Sequence, residues 1–168
     1  MLLFSFLVAG SFSFGKSIAG EIDPITLTAA RFALASALLA AVLVITGRLR
    51  KPHFRQPLRF IVLGGLFAIY FVLMFYALRL TTSLSTSVIF TTMPFAAAVL
   101  DRLIFKRANT TLVWFALTLG AVGALWVVFE GSWTSLRSFS IGLGELLFFI
   151  GTLAHAAYAV LVTNINVS

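Results

Sequence analysis

Six long apolar stretches fill most of this 168-residue chain. A helix needs roughly 20 apolar residues to cross the hydrocarbon core of a bilayer. A soluble core of this size cannot bury six helices that are apolar on every face, and the stretches lack the strict alternation of a barrel strand. We therefore expect an all-α membrane protein with six transmembrane helices. Their predicted positions are 2–18, 25–46, 58–78, 84–104, 112–129 and 142–163.

The basic residues of the chain cluster in every second loop. Twelve Lys and Arg stand against five Asp and Glu, which gives a formal net charge of +7. Because cytoplasmic loops are enriched in Lys and Arg, loops two and four and both termini are expected on the cytoplasmic side of a bacterial inner membrane. The excess charge is thus explained by membrane topology and not by a nucleic-acid partner. Eight of the 12 cations surround these two loops: Arg48, Arg50, Lys51, Arg55, Arg59, Arg102, Lys106 and Arg107.

The sequence contains no set of residues typical of an enzyme. There is no Ser/His/Asp set, no H-E-x-x-H and no glycine-rich loop that could cradle phosphate. The lack of cysteine excludes disulfides and thiolate metal sites. An intramembrane enzyme would need a nucleophile and a base within reach, and His155 is the single candidate for that base. We therefore expect neither catalysis, nor a metal, nor a cofactor.

A stripe of Ser and Thr in the fourth stretch ends at Thr91 and Thr92, just ahead of Pro94. The proline removes a backbone hydrogen bond and is expected to kink the helix. Irregular backbone at membrane depth is tolerated where protein or a water-filled cavity covers it. These three residues are therefore candidates for lining a cavity. The alternative is that the hydroxyls bond to carbonyls of their own helix.

Three charged side chains lie within or near the membrane. Arg31 is about seven residues into its helix, roughly 10 Å along the axis. A charge at that depth is by default a functional candidate, but it could also pair with Glu21 or Asp23 or reach the outer surface. Lys16 lies closer to its interface and poses the same choice. Glu145 is near the outer end of its helix, where we expect it to be solvated.

Five further residues are candidates for contacting a solute. Ser11 and Ser13 are small polar residues in the first stretch, where they face either another helix or a cavity. His155 lies deep in the sixth stretch and could donate to a solute or relay protons, or it could bond to a neighbouring Ser or Thr. Tyr70 and Tyr158 each offer an aromatic wall with a polar tip.

The order of several short motifs resembles the EamA repeat of the drug/metabolite transporter superfamily. GSFSFGK at positions 10–16 resembles the run that opens the repeat, and ARF at 30–32 resembles its Arg-Phe pair. FYALRLTT at 75–82 is similar to the family's FYAL-(K/R)-x-T-(S/T) signature, and MPF at 93–95 to its mid-helix proline. The match departs at 105–109, where FKRAN replaces the usual Gly-Glu-Arg-x-Ser, so the family role of that Glu does not transfer.

The resemblance implies a fold and a function beyond those read from the residues. The family architecture is ten helices in two inverted five-helix repeats, with substrate near the midplane between them. On this plan, residues 1–141 form the first repeat and 142–168 the first helix of a truncated second one. The expected function is secondary transport, as an exporter of small organic metabolites or drugs by alternating access. The alternative is a non-transporting fragment or accessory membrane protein that needs a partner half.

Overall fold

A computed structural model describes residues 23–47, 57–129, 132–139 and 141–165. These residues form seven helices and no strand. The helices are α1 (Pro24–Ile45), α2 (Pro57–Leu80), α3 (Ser83–Phe90), α4 (Met93–Phe105), α5 (Thr111–Val128), α6 (Trp133–Arg137) and α7 (Leu143–Ile165).

The fold is that of an all-helical, multi-pass membrane protein. The helices α1, α2 and α7, and α3 taken together with α4, are long and apolar enough to cross a membrane, and α5 is apolar but shorter. Large apolar side chains cover their outer surfaces, such as Leu34 at 64% and Leu38 at 61% exposure. Such a surface would aggregate in water but suits lipid. The first predicted stretch, 2–18, lies outside the described residues; the other five correspond to described helices.

The predicted kink in the fourth stretch takes the form of a short break between α3 and α4 at Thr91 and Thr92. The backbone N–H of Thr92 donates to the carbonyl of Ile89 at 3.0 Å, three residues back where an α-helix would use four. Pro94 has no N–H to continue the α-helical ladder. The chain therefore tightens for one turn and restarts as α4, with proline in its first turn.

The helix α7 is the centre of the assembly. It packs most extensively on α2 and also contacts α4 and α3, whereas α1 packs on α2 and α5 on α3. Phe75 of α2 and Phe148 of α7 are fully buried in the core between them. The segment predicted to begin a second repeat thus supplies the helix against which α2, α3 and α4 pack.

Two glycines of α7 allow its close approach to α2. A Cβ on Gly144 would lie 2.9 Å from the Cβ of Thr81, and one on Gly151 would lie 3.2 Å from the Cβ of Leu73. Glycines at helix contacts in membranes permit this kind of backbone proximity. The two glycines are seven residues apart, which is about two helical turns. Both therefore lie on the same face of α7, toward α2.

Lys106 ends α4 in the left-handed region, with φ 55° and ψ 24°. A side chain costs about 1 kcal/mol there, and glycine avoids that cost. We expect Lys106→Gly to raise the free energy of unfolding by about this amount in detergent micelles. Arg107→Gly is the control for loss of a positive charge, and equal changes in the two variants would contradict the prediction.

Candidate functional site

Three of the predicted solute-contacting residues come together where α2 and α7 meet. The ring of His155 lies 4.5 Å from that of Tyr70 and 6.1 Å from that of Tyr158, measured between centroids. Phe67 and Phe90 complete the group, with centroids 5.8 and 5.9 Å from His155. Because residues three apart share a helix face, α2 and α7 each present two of these rings to the other. We call these five residues the central aromatic cluster.

The central aromatic cluster has a buried back and a partly open front. Tyr70 is 4% exposed and lies against the fully buried Phe148, at 6.5 Å between centroids. Phe67, His155 and Tyr158 are each partly exposed. They also contact one another, since the Phe67 and Tyr158 rings are 4.7 Å apart. The front is therefore an accessible aromatic surface that packs on a buried layer.

One ring nitrogen of His155 is buried without a hydrogen-bond partner among the described residues. Its Nδ1 atom is shielded from solvent and has no hydrogen-bond partner in the part of the chain that the structure describes. A buried polar atom without a partner costs about 1–3 kcal/mol. The alternative considered above, a bond from His155 to a Ser or Thr, is not made at this atom by any described residue. A polar group of a bound molecule could satisfy it.

Arg31 lies against the aromatic face of α2. Its guanidinium carbon is 5.2 Å from the ring centroid of Phe71 and 5.4 Å from that of Phe75. Asp23, one of its two predicted partners, instead caps α1 by accepting N–H groups of the first turn at 3.0 and 3.2 Å; the other, Glu21, lies outside the described residues. Cation–π contacts supply about 0.5–2 kcal/mol, against at least about 2.5–3.5 for Arg deep in a bilayer. The rings thus offset part of the cost of this charge.

Thr91, Thr92 and Pro94 lie at the break between α3 and α4, where Thr91 and Pro94 face α5. The hydroxyls of Thr91 and Thr92 donate to carbonyls of their own helix at 2.6 and 2.7 Å. This is one of the two alternatives that the sequence left open for the Ser/Thr stripe. Thr91 and Pro94 nevertheless line a cavity of about 350 Å³ between α3–α4 and α5, and Phe90 borders both this cavity and the central aromatic cluster. The opposite wall is formed by Leu117 and by four small residues: Ala116, Gly120, Ala121 and Ala124.

Glu145 is buried at 7% exposure, so the expectation that it is solvated is wrong. The hydroxyls of Thr81 and Ser85 donate to its carboxylate, as does the N–H of Gly142 at 2.9 Å. Gly142 precedes the first residue of α7, so Glu145 reaches back to cap its own helix. The G-x-x-E spacing at 142–145 was the sequence signal for this contact. Beside it, a cleft of about 560 Å³ is lined by hydroxyl groups, including that of Thr82.

The opposite end of α7 is also tied to a neighbouring helix. Nδ2 of Asn164 donates to Asp101 of α4 at 3.3 Å and to the carbonyl of Val160 at 2.7 Å. Its Oδ1 is buried and unpartnered among the described residues. Arg107 and Asn109 join Asp101 in lining a cavity of about 340 Å³ beside it. Polar side chains therefore hold both ends of α7.

The remaining predicted site residues, Ser11, Ser13 and Lys16, lie outside the described residues. Within the described ranges, the structure brings together no group of three or more His, Cys, Asp or Glu that could hold a metal ion.

Similarity to known proteins identifies the family of this chain. The model of the EamA-like transporter family matches residues 1–129. A Bacillus subtilis (strain 168) protein named as the uncharacterized transporter YyaM is 30% identical over 164 residues, which are 96% of this chain and 53% of that protein. The chain thus spans about half the length of this curated relative. No solved structure matches it significantly. The chain belongs to the EamA-like transporter family, of the drug/metabolite transporter superfamily.

Proposed function

We propose that this protein is a secondary transporter that exports a small organic solute across the bacterial inner membrane. The observation that carries the proposal is the central aromatic cluster with its unpartnered Nδ1 atom. His155 is the thirteenth of the 23 residues of α7, which puts the cluster near the middle of a membrane span. Solute sites of secondary transporters lie near the bilayer midplane.

The two polar ties of α7 support an alternating-access mechanism. Residues 145 and 164 are 19 positions apart, or about 28 Å along a helix, which is close to the thickness of the hydrocarbon core. Release of one tie at a time would open the cluster to one side of the membrane. By the positive-inside rule, the Asn164 end faces the cytoplasm and the Glu145 end faces the periplasm.

The same proposal includes the domain plan expected from the sequence. Residues 1–141 would form one five-helix repeat, and 142–168 would begin a second, with α7 contributing His155 and Tyr158 to a site between them. Ser11 and Ser13 stay predicted contributors to that site from the first stretch, and Lys16 stays a candidate charged residue of the same stretch. The competing proposal is an accessory membrane protein that completes its pathway only with a partner half.

The transport function is testable in proteoliposomes that contain the full chain. We expect entrapped radiolabelled indole-3-acetate or tryptamine to be released at least several times faster than from protein-free liposomes. Tyr158→Ala should slow that release about twofold to tenfold, because a stacked aromatic contact is worth about 0.5–1.5 kcal/mol and about 1.4 kcal/mol is a factor of ten.

The matched control is Phe115→Ala, which removes an aromatic ring that is 65% exposed on α5 and outside the cluster. It should leave the release rate unchanged. If neither probe leaves faster than the leak, although the protein is folded, transport by this chain alone is contradicted and the partner-half proposal gains support. An equal loss of release rate in Tyr158→Ala and Phe115→Ala would contradict the proposal that the cluster is the solute site.

A further inference from the structure

Arg31 lacks a carboxylate partner within the described part of the chain, because each acidic side chain there is engaged elsewhere. Asp23 caps the first turn of α1, and Asp101 accepts from Asn164. Glu145 accepts from the start of α7 and from the α2–α3 junction. The contacts of Arg31 are the two phenyl rings of α2. No carboxylate of the described residues therefore serves as a countercharge to this positive charge.

This charge adjoins the accessible aromatic surface. Phe71, which lies under the guanidinium of Arg31, has its ring centroid 4.9 Å from that of Phe67. Phe32, the neighbour of Arg31 on α1, stacks on Phe67 at 5.8 Å with an interplanar angle of 3°. Arg31, Phe32, Phe67 and Phe71 are all partly exposed. A continuous aromatic surface thus leads from Arg31 to Phe67 and on to the front of the cluster.

The residues of the central aromatic cluster carry no permanent charge. Its polar atoms are the Tyr hydroxyls and the imidazole nitrogens, and none of the three described carboxylates contacts it. A cationic solute could stack on the aromatic faces. It would also be repelled by the positive charge of Arg31, which no described carboxylate neutralises. An anionic solute would bring to Arg31 the countercharge that the described chain does not supply.

From this arrangement we infer that the transported solute is an organic anion with a planar aromatic body, such as an aromatic carboxylate. Its ring stacks on Phe67 and Tyr158, and its negative group is directed toward Arg31. A ring N–H or hydroxyl group can pair with Nδ1 of His155. The inference rests on the proposed function, because it assigns a substrate class to the same site.

Three probes that share the indole ring separate charge from shape: indole-3-acetate is anionic, tryptophol is neutral and tryptamine is cationic. Their equilibrium binding is measured on the full chain in phosphatidylcholine nanodiscs at neutral pH. We expect indole-3-acetate to bind at least tenfold more tightly than tryptophol, and tryptamine to bind most weakly. Arg31→Gln should weaken indole-3-acetate binding to within about twofold of tryptophol while tryptophol binding is retained.

Two further variants make the outcome decisive. Arg31→Lys keeps the charge and should keep most of the anion preference. Arg79→Gln is the matched control, because Arg79 also stacks on a ring, with its guanidinium carbon 5.9 Å from the ring centroid of Tyr76. Arg79 lies at the exposed end of α2, so this variant should leave the anion preference intact. Retained tryptophol binding reports an intact cluster in every variant.

The inference would be overturned by equal binding of the three probes, by tightest binding of tryptamine, or by an anion preference that survives Arg31→Gln. The first two leave the transport proposal standing if the release experiment succeeds, because that experiment accepts either charge. Absence of binding by all three probes would also overturn the inference, and release then decides the transport function separately.

Discussion

Gly144→Ala is expected to lower the free energy of unfolding by about 1–3 kcal/mol, the usual range for overpacking a tight contact. The added Cβ would lie 2.9 Å from the Cβ of Thr81, 3.0 Å from the Cβ of Leu80 and 3.2 Å from the Leu80 carbonyl carbon. These atoms are in or next to the backbone, so no flexible side chain can move aside. The α7 helix would have to shift away from α2 along their shared interface. Unfolding by sodium dodecyl sulfate in mixed micelles measures the loss.

Gly64→Ala is the matched control, since it is the same change within a membrane-spanning helix. A Cβ on Gly64 meets nothing within 4 Å. Alanine is favoured over glycine in helices by about 1 kcal/mol, so this variant should be unchanged or slightly more stable. The stability of Gly151→Ala should fall between those of the other two variants, because its added Cβ would lie 3.2 Å from the Cβ of Leu73. If Gly144→Ala were as stable as Gly64→Ala, the close α2–α7 packing described here would be wrong.

The positions of the helices could be predicted from the sequence because lipid simplifies the problem. A stretch that is apolar on all faces has few alternatives to a membrane-spanning helix. The predicted 58–78 and 112–129 accordingly correspond to Pro57–Leu80 and Thr111–Val128. The short helix α6 was not predicted, since five residues give no periodic signal. Its Trp133 packs on Trp126 at 5.7 Å, a tertiary contact that the sequence does not reveal.

The candidate site was harder to predict because it depends on which helix faces meet. Tyr70, His155 and Tyr158 were chosen as candidates by residue type, yet nothing in the sequence showed that α2 and α7 would bring them within stacking distance. Phe67, a plain apolar residue in an apolar stretch, was missed for the same reason. Arg31 was identified by the cost of its charge, but its position on the Phe71 ring follows from packing alone.

Glu145→Ala is expected to destabilise the protein by about 2–4 kcal/mol, because three donors lose one acceptor. Hydrogen bonds to charged groups contribute about 1.5–3 kcal/mol each and do not add fully, and loss of a helix cap alone costs about 0.5–2. The N–H of Gly142 has the least freedom to find another partner, since it is fixed in the backbone. The hydroxyls of Thr81 and Ser85 can rotate. The same surfactant unfolding measurement reports the change.

Glu145→Gln separates the carboxylate charge from the shape of its side chain. The amide oxygen can still accept from one donor, but the amide nitrogen must face another, so about half of the loss should remain. Asp101→Asn is the matched control at the other end of α7, where the hydrogen bond from Asn164 to Asp101 is 3.3 Å long, and it should cost under about 1 kcal/mol. Glu145 fastens the start of α7 to the α2–α3 junction, while Asp101 makes one weak contact at its end. An equal cost at the two ends would mean that the polar ties do not differ in strength. It would contradict the inference that α7 is held less firmly at the Asn164 end than at the Glu145 end.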